Sequence, residues 1–100
     1  MKKIAIDIDG TLTYGDHSLI NYLAMRPNWK VIGKINELHR LGHEIIIYTS
    51  RPRQEHHHLI EWLEEHGIEF DHLECGKLKA DYYVDANALD VNEFWKKETW

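Results

Sequence analysis

The chain has 100 residues and 43% hydrophobic content, enough for one core and too little for two. A formal net charge of −5 disfavours nonspecific nucleic-acid binding, which needs a basic surface. No apolar run approaches a bilayer span, "IAIDIDG" is too short and too charged for a signal peptide, and the lone Cys75 cannot form an internal disulfide, so a cytoplasmic protein without a membrane role is expected.

Residues 3–9 read as a first strand, apolar at Ile4, Ala5, Ile6 and Ile8 but interrupted by Asp7 and Asp9, with Gly10 directly after. Residues 10–26, "GTLTYGDHSLINYLAMR", read as irregular or partly helical. Pro27 suits the first turn of a helix whose stripe is Val31, Ile32, Ile35, Leu38 and Leu41, with Gly42 as its stop. "HEIIIYTS" is the continuous apolar run of a buried parallel strand. A second helix runs from Pro52 to His66 with Leu59, Trp62 and Leu63 on its apolar side, and Gly67 ends it. "IEFDHLE" and "ADYYVDA" read as two further short strands. "DVNEFWKKE" closes the chain as a short helix, with Asp90 and Glu93 spaced as N-cap and capping-box partner.

Strands alternating with helices predict a single α/β domain over residues 1–100, a three-layer Rossmann-like arrangement with a mainly parallel sheet. Ligands of such sheets bind at the carboxyl ends of the strands. Asp7 and Asp9, Thr49 and Ser50, and Asp85 each fall at or just past such an end, so parallel pairing would bring them to one edge.

Asp7 and Asp9 stand two apart, so in extended chain their side chains start on the same face. Two carboxylates so close repel unless a cation lies between them or one takes a proton. One can then serve as a nucleophile and the other as a proton donor. Asp9-Gly10 is equally a common turn pair. Thr49 offers a hydroxyl to a phosphate oxygen, or caps the following helix, which Ser50 does equally well. Lys77 or Lys79 can neutralise a carboxylate and phosphate that meet, or lie on the surface. Asp85 is a candidate metal ligand, and a donor set of hard oxygens implies Mg²⁺ rather than zinc.

At this point "IAIDIDGTLT" resembles the first motif of the haloacid dehalogenase-like hydrolases, D-x-D-G-T. "IIIYT" resembles the second, an apolar strand ending in Thr or Ser, and "GKLKADYYVDA" resembles the third and fourth together. The resemblance covers nearly the whole chain in order and spacing. It implies that Asp7 is the nucleophile, Asp9 the general acid and then base, and that Thr49 and Lys77 bind the transferring phosphoryl group. It also implies that Asp7, the Asp9 backbone carbonyl and Asp85 hold Mg²⁺. Gly10, Thr11, Ser50 and Arg51, at the same strand ends, are the candidate substrate-binding residues. The physical sense is that an anionic nucleophile meets an anionic phosphate only beside countercharge. Lys77 is preferred to Lys79 because it stands in the family-like "GK". The sequence departs from the pattern where Ala86 follows Asp85; Asn87 and Asp90 are the nearest alternatives, and Asp90 reads better as the helix cap.

The intervals between the motifs hold helices but no cap domain, so residues 12–26 can be a flap at most. That flap, with Tyr14, His17 and Arg26, or a second copy of the chain, is expected to shape the substrate pocket. Arg51 and Arg53 sit in "TSRPR", where cations in a helix's first turn oppose its dipole, favouring a ligand role for one of them. Adjacent His residues in "EHHHLIEW" point about 100° apart on a helix and do not converge on one ion. Trp95 and Trp100 are expected to cover the sheet or join an interface. The expected activity is Mg²⁺-dependent hydrolysis of a phosphomonoester: a sugar phosphate, nucleotide or phosphorylated macromolecule. The rivals are a catalytically weak relative that binds a phosphorylated ligand or partner and, ranked lower, a phosphoacceptor signalling domain, whose acceptor Asp belongs at the end of a middle strand.

Overall fold

Ile4 and Ile6 alternate with polar or small residues, and that period of two makes Lys3–Asp7 the strand β1. A computed structural model describes residues 1–14, 25–78, 80–82 and 84–100 of the chain. β1 lies parallel to β4 (Glu44–Thr49), with Ile4 beside Ile45, Ile6 beside Ile47 and Asp7 beside Tyr48. β4 in turn lies parallel to β5 (His72–Cys75), with Thr49 beside Cys75. The sheet order is β1-β4-β5. Parallel neighbours need long crossovers, which are built around α1 (Trp29–Arg40) and α2 (His56–Glu65). Thr13–Tyr14 (β2) and Arg26–Pro27 (β3) form a separate antiparallel pair, and α3 (Val91–Lys96) follows near the end of the chain.

The core joins Ile4, Ile6, Ile45 and Ile47 of the sheet to Val31, Ile32, Ile35 and Leu38 of α1 and Leu59, Trp62 and Leu63 of α2. The other sheet face is less covered: Ala5 is exposed, and Ile46 and Tyr48 are half-buried. Phe94 of α3 joins the same core, and Trp100 meets its ring edge-on at 5.4 Å between centroids. The expected α/β class with a parallel sheet and no cap domain holds among the described residues. None of their helices is long and apolar enough to cross a membrane.

Four local expectations change. β1 stops at Asp7, and the chain turns through Ile8–Leu12 with non-helical backbone at Asp9 and Gly10, so Asp9 is not on the strand. Pro27 belongs to β3; Asn28 caps α1 instead, its side chain accepting the Val31 N–H. Leu41 follows the last turn of α1 and is 66% exposed rather than part of the stripe. "ADYYVDA" forms no strand among its described residues: Tyr82 is 88% and Val84 98% exposed. The strand propensity of Tyr and Val needs a neighbouring strand to take effect. Asp85 instead starts a turn, accepting the Asn87 N–H at 2.9 Å on its carboxylate and the Ala88 N–H at 3.2 Å on its carbonyl. Lys79, Tyr83 and most of the flap, His17 included, lie outside the described residues.

Asp90 caps α3 by accepting the Glu93 N–H at 2.8 Å, while the Glu93 side chain returns to the Asp90 N–H at 3.3 Å. Asp90→Ala is therefore expected to lower stability by about 1 kcal/mol in urea unfolding. No change would mean that the capping box is not holding α3.

Candidate active site

Asp7 ends β1 and Thr49 ends β4, one register position beyond Asp7's neighbour Tyr48. Asp7 Oδ1 accepts the N–H of Ile8 at 2.8 Å, which fixes the carboxylate at the start of the turn. Its other oxygen, Oδ2, lies 3.5 Å from Lys77 Nζ. Lys77 is delivered there by the backbone: its N–H donates to the Thr49 carbonyl at 2.9 Å, directly after Gly76 at φ +84°. A side chain at that φ would be strained, so glycine suits the turn that brings the lysine back toward the edge. Lys77 Nζ also lies 4.1 Å from the centroid of the Tyr48 ring. Burial pushes the Asp7 carboxyl above its ordinary range; Lys77 and the Ile8 N–H oppose this, and Asp9 adds a smaller upward push.

Asp9 takes a different environment. Gly10 at φ +81° allows the sharp turn directly after Asp9, and Asp9 is 9% exposed. Both of its oxygens accept from Arg51: Oδ2 from Nε at 2.9 Å and Oδ1 from Nη2 at 2.8 Å. Arg51 is 7% exposed, and its Nη1 donates to Glu55 Oε1 at 3.1 Å. Hydrogen bonding to Asp9 raises the Arg51 guanidinium further above its already high range, so it is a fixed cation. The two carboxylates, expected to share a face, thus have separate cationic partners.

Thr49 is fully buried, and its Oγ1 accepts the Arg51 N–H at 3.1 Å. It does not cap the helix that follows, since neither the turn at Arg53–Glu55 nor α2 has a side-chain cap; it fixes the backbone two residues on. Ser50 is half-buried beside it, Gly10 is exposed and Thr11 half-buried at the turn. Tyr14 donates its hydroxyl to Asn28 Oδ1 at 3.1 Å, which ties the visible stem of the flap to the start of α1. Glu55 was not singled out in the sequence, although its spacing of four from Arg51 was a readable signal.

Asp85 and Asn87 are exposed and bond to each other as described. Among the described residues, no group of three or more His, Cys, Asp or Glu is placed to hold a metal. A concavity of about 300 Å³ is lined by Arg53, His56, Leu73, Glu74 and Cys75 but by neither Asp7 nor Lys77. Burial pushes the Cys75 thiol up, away from reactivity. The Asp7–Lys77 and Asp9–Arg51 pairs thus lie outside the lining of this concavity.

A carboxyl raised by burial is stabilised in its neutral form, so Asp7 contributes most below its unfolded value of 3.8 and that contribution is lost as pH rises through its higher folded value. Asp7→Asn, which is neutral at every pH, is expected to melt higher than the wild type at pH 7. The gap should close in acid, below about pH 4. An Asn variant that melts lower at pH 7 would contradict this account of the Asp7 environment.

No known protein-family profile matches the chain, and no curated protein does. Among solved structures, the crystal structure of a structural-genomics target from Vibrio cholerae matches with a TM-score of 0.80 and 30% identity, over 98% of this chain and 90% of that one. A chain in the Pnkp1/Rnl/Hen1 complex matches with a TM-score of 0.65 and 18% identity, over 96% of this chain and 34% of that one. The second likeness is one of fold. With 30% identity over nearly the full length of both chains, this chain belongs to the same family as the Vibrio cholerae protein.

Proposed function

We propose that the chain is a Mg²⁺-dependent phosphatase of the haloacid dehalogenase-like type, hydrolysing a phosphomonoester through an aspartyl-phosphate on Asp7. The observation that carries this is Asp7 at the C-terminal end of β1, one oxygen held by a backbone N–H and the other facing Lys77 at 3.5 Å. A carboxylate so oriented has a free direction of attack and a cation beside it.

In the first step an Asp7 oxygen bonds to phosphorus while the bond to the leaving oxygen breaks, and Asp9 donates a proton to that oxygen. In the second, water attacks the phosphorus of the aspartyl-phosphate and Asp9 takes back a proton, releasing inorganic phosphate and restoring Asp7. Lys77 balances charge as the dianion approaches the carboxylate. Thr49 fixes the start of the loop that carries Arg51, and its hydroxyl proton is the one it could turn to a phosphoryl oxygen.

Asp7 and the main-chain carbonyl of Asp9 are hard oxygen donors, and they fit an ion that keeps several waters and takes further oxygens from phosphate. When bound, Mg²⁺ would supply charge neutralisation between carboxylate and phosphate. Asp85, the third expected ligand, is exposed, accepts the Asn87 N–H, and is followed by Ala86 where the family pattern carries an acid. That favours a second reading, in which the chain binds a phosphorylated ligand with little turnover. The phosphoacceptor alternative loses support, because the middle strand of the described sheet ends at Tyr48 and Thr49, not at an Asp. The lack of a cap over the strand ends among the described residues favours a substrate whose bulk lies outside the site.

Purified protein is expected to release phosphate from an aryl phosphate only when Mg²⁺ is present, with removal by a chelator reversed by adding the ion back. Asp7→Asn is expected to abolish release, and Lys77→Met to slow it by about 100-fold or more. Metal-saturated wild type that binds phosphate but turns over no phosphomonoester would establish the binding reading instead.

A further inference from the structure

Resting on the phosphatase reading, we propose that Arg51 is a positioning residue that clamps Asp9 for proton transfer, with Glu55 aligning the guanidinium. The clamp is a planar fork on one carboxylate: Nε to Oδ2 at 2.9 Å and Nη2 to Oδ1 at 2.8 Å. Such a fork fixes both the position and the plane of the acid, which a single bond or a lysine does not. Glu55 holds the far nitrogen, Nη1, at 3.1 Å, so the guanidinium has a carboxylate on each side.

The base of the Arg51 side chain is equally constrained. Its N–H donates to Thr49 Oγ1 at 3.1 Å, and its carbonyl accepts the Gly76 N–H at 2.9 Å. Through these bonds the fork is built on the same strand end that positions Lys77, whose N–H donates to the Thr49 carbonyl. Asp9 is thereby held in fixed relation to the cation facing Asp7. A direct substrate contact, the role expected of Arg51 from the sequence, would need the guanidinium turned outward, yet it is 7% exposed and its nitrogens address Asp9 and Glu55. Stability alone is a weak reason for the arrangement, since a buried ion pair often stabilises no more than well-packed apolar residues would. A group that must hand a proton to one oxygen and take one from another does need a fixed plane.

The test is kcat/KM for two substrates, 4-nitrophenyl phosphate, whose leaving group departs without a proton, and phenyl phosphate, whose leaving group needs one. The variants are Arg51→Lys, Asp9→Asn and the double variant. Arg51→Lys keeps the charge and loses the fork. It is expected to lower kcat/KM for phenyl phosphate at least about tenfold more than for 4-nitrophenyl phosphate. In the Asp9→Asn background the same substitution is expected to change nothing further, because Arg51 acts through Asp9. An equal loss on both substrates that persists in the Asp9→Asn background would make Arg51 a substrate contact and overturn the proposal. Should Arg51→Lys fail to fold, Glu55→Gln carries the same comparison with a smaller expected difference. Wild-type protein with no turnover would overturn the phosphatase reading, and this inference with it; active wild type with an additive Arg51 effect would overturn this inference alone.

Discussion

Two carboxylates two residues apart, at the dry end of a parallel strand, cannot share one environment without a cation or a proton between them. The chain meets this constraint by ending β1 at Asp7 and turning at once. Asp7 stays at the strand end, where its partner is Lys77. Asp9 is rotated into the interior, where its partner is the fork of Arg51. Each pairing draws on a different part of the sequence, so the local conflict at residues 7–9 organises the loops after β4 and β5 as well.

The two pairs differ in kind. Lys77 is a compact charge on a flexible stem at 3.5 Å, a geometry that leaves the Asp7 oxygen approachable. Arg51 engages both Asp9 oxygens and leaves that carboxylate little freedom. On the proposed reading, Asp7 as nucleophile needs access and Asp9 as proton carrier needs orientation, and the two environments would supply these separately. The raised Asp7 carboxyl shows that the strand end costs stability to keep charged. A site that holds such a group against its own folding preference is a usual mark of function.

Much of this was readable from residue types and spacing. The alternation of apolar runs with helical stripes gave the parallel sheet, because strand and helix periods differ so clearly in "IAI", "EIIIYT" and residues 31–38. The Asp90 and Glu93 capping box was legible because capping depends on neighbours in sequence. The partners of Asp9 were not, since Arg51 lies 42 residues away and only the β1–β4 register brings the two together. "ADYYVDA" misled because its Tyr and Val suit a strand, whereas the Asp85–Asn87 turn that wins is a short local hydrogen-bond pattern. Leu41 fitted the helical period but fell one residue past the last turn, where periodicity no longer decides burial.

The central claim is that Asp7 carries the phosphoryl group. Acid quenching during turnover of an aryl phosphate, followed by peptide mass spectrometry, tests it directly. The account predicts one added phosphoryl group on the peptide containing Asp7, lost on treatment with hydroxylamine as an acyl phosphate is. Steady turnover with no phosphoryl group on Asp7, or with the group on another residue, would contradict it.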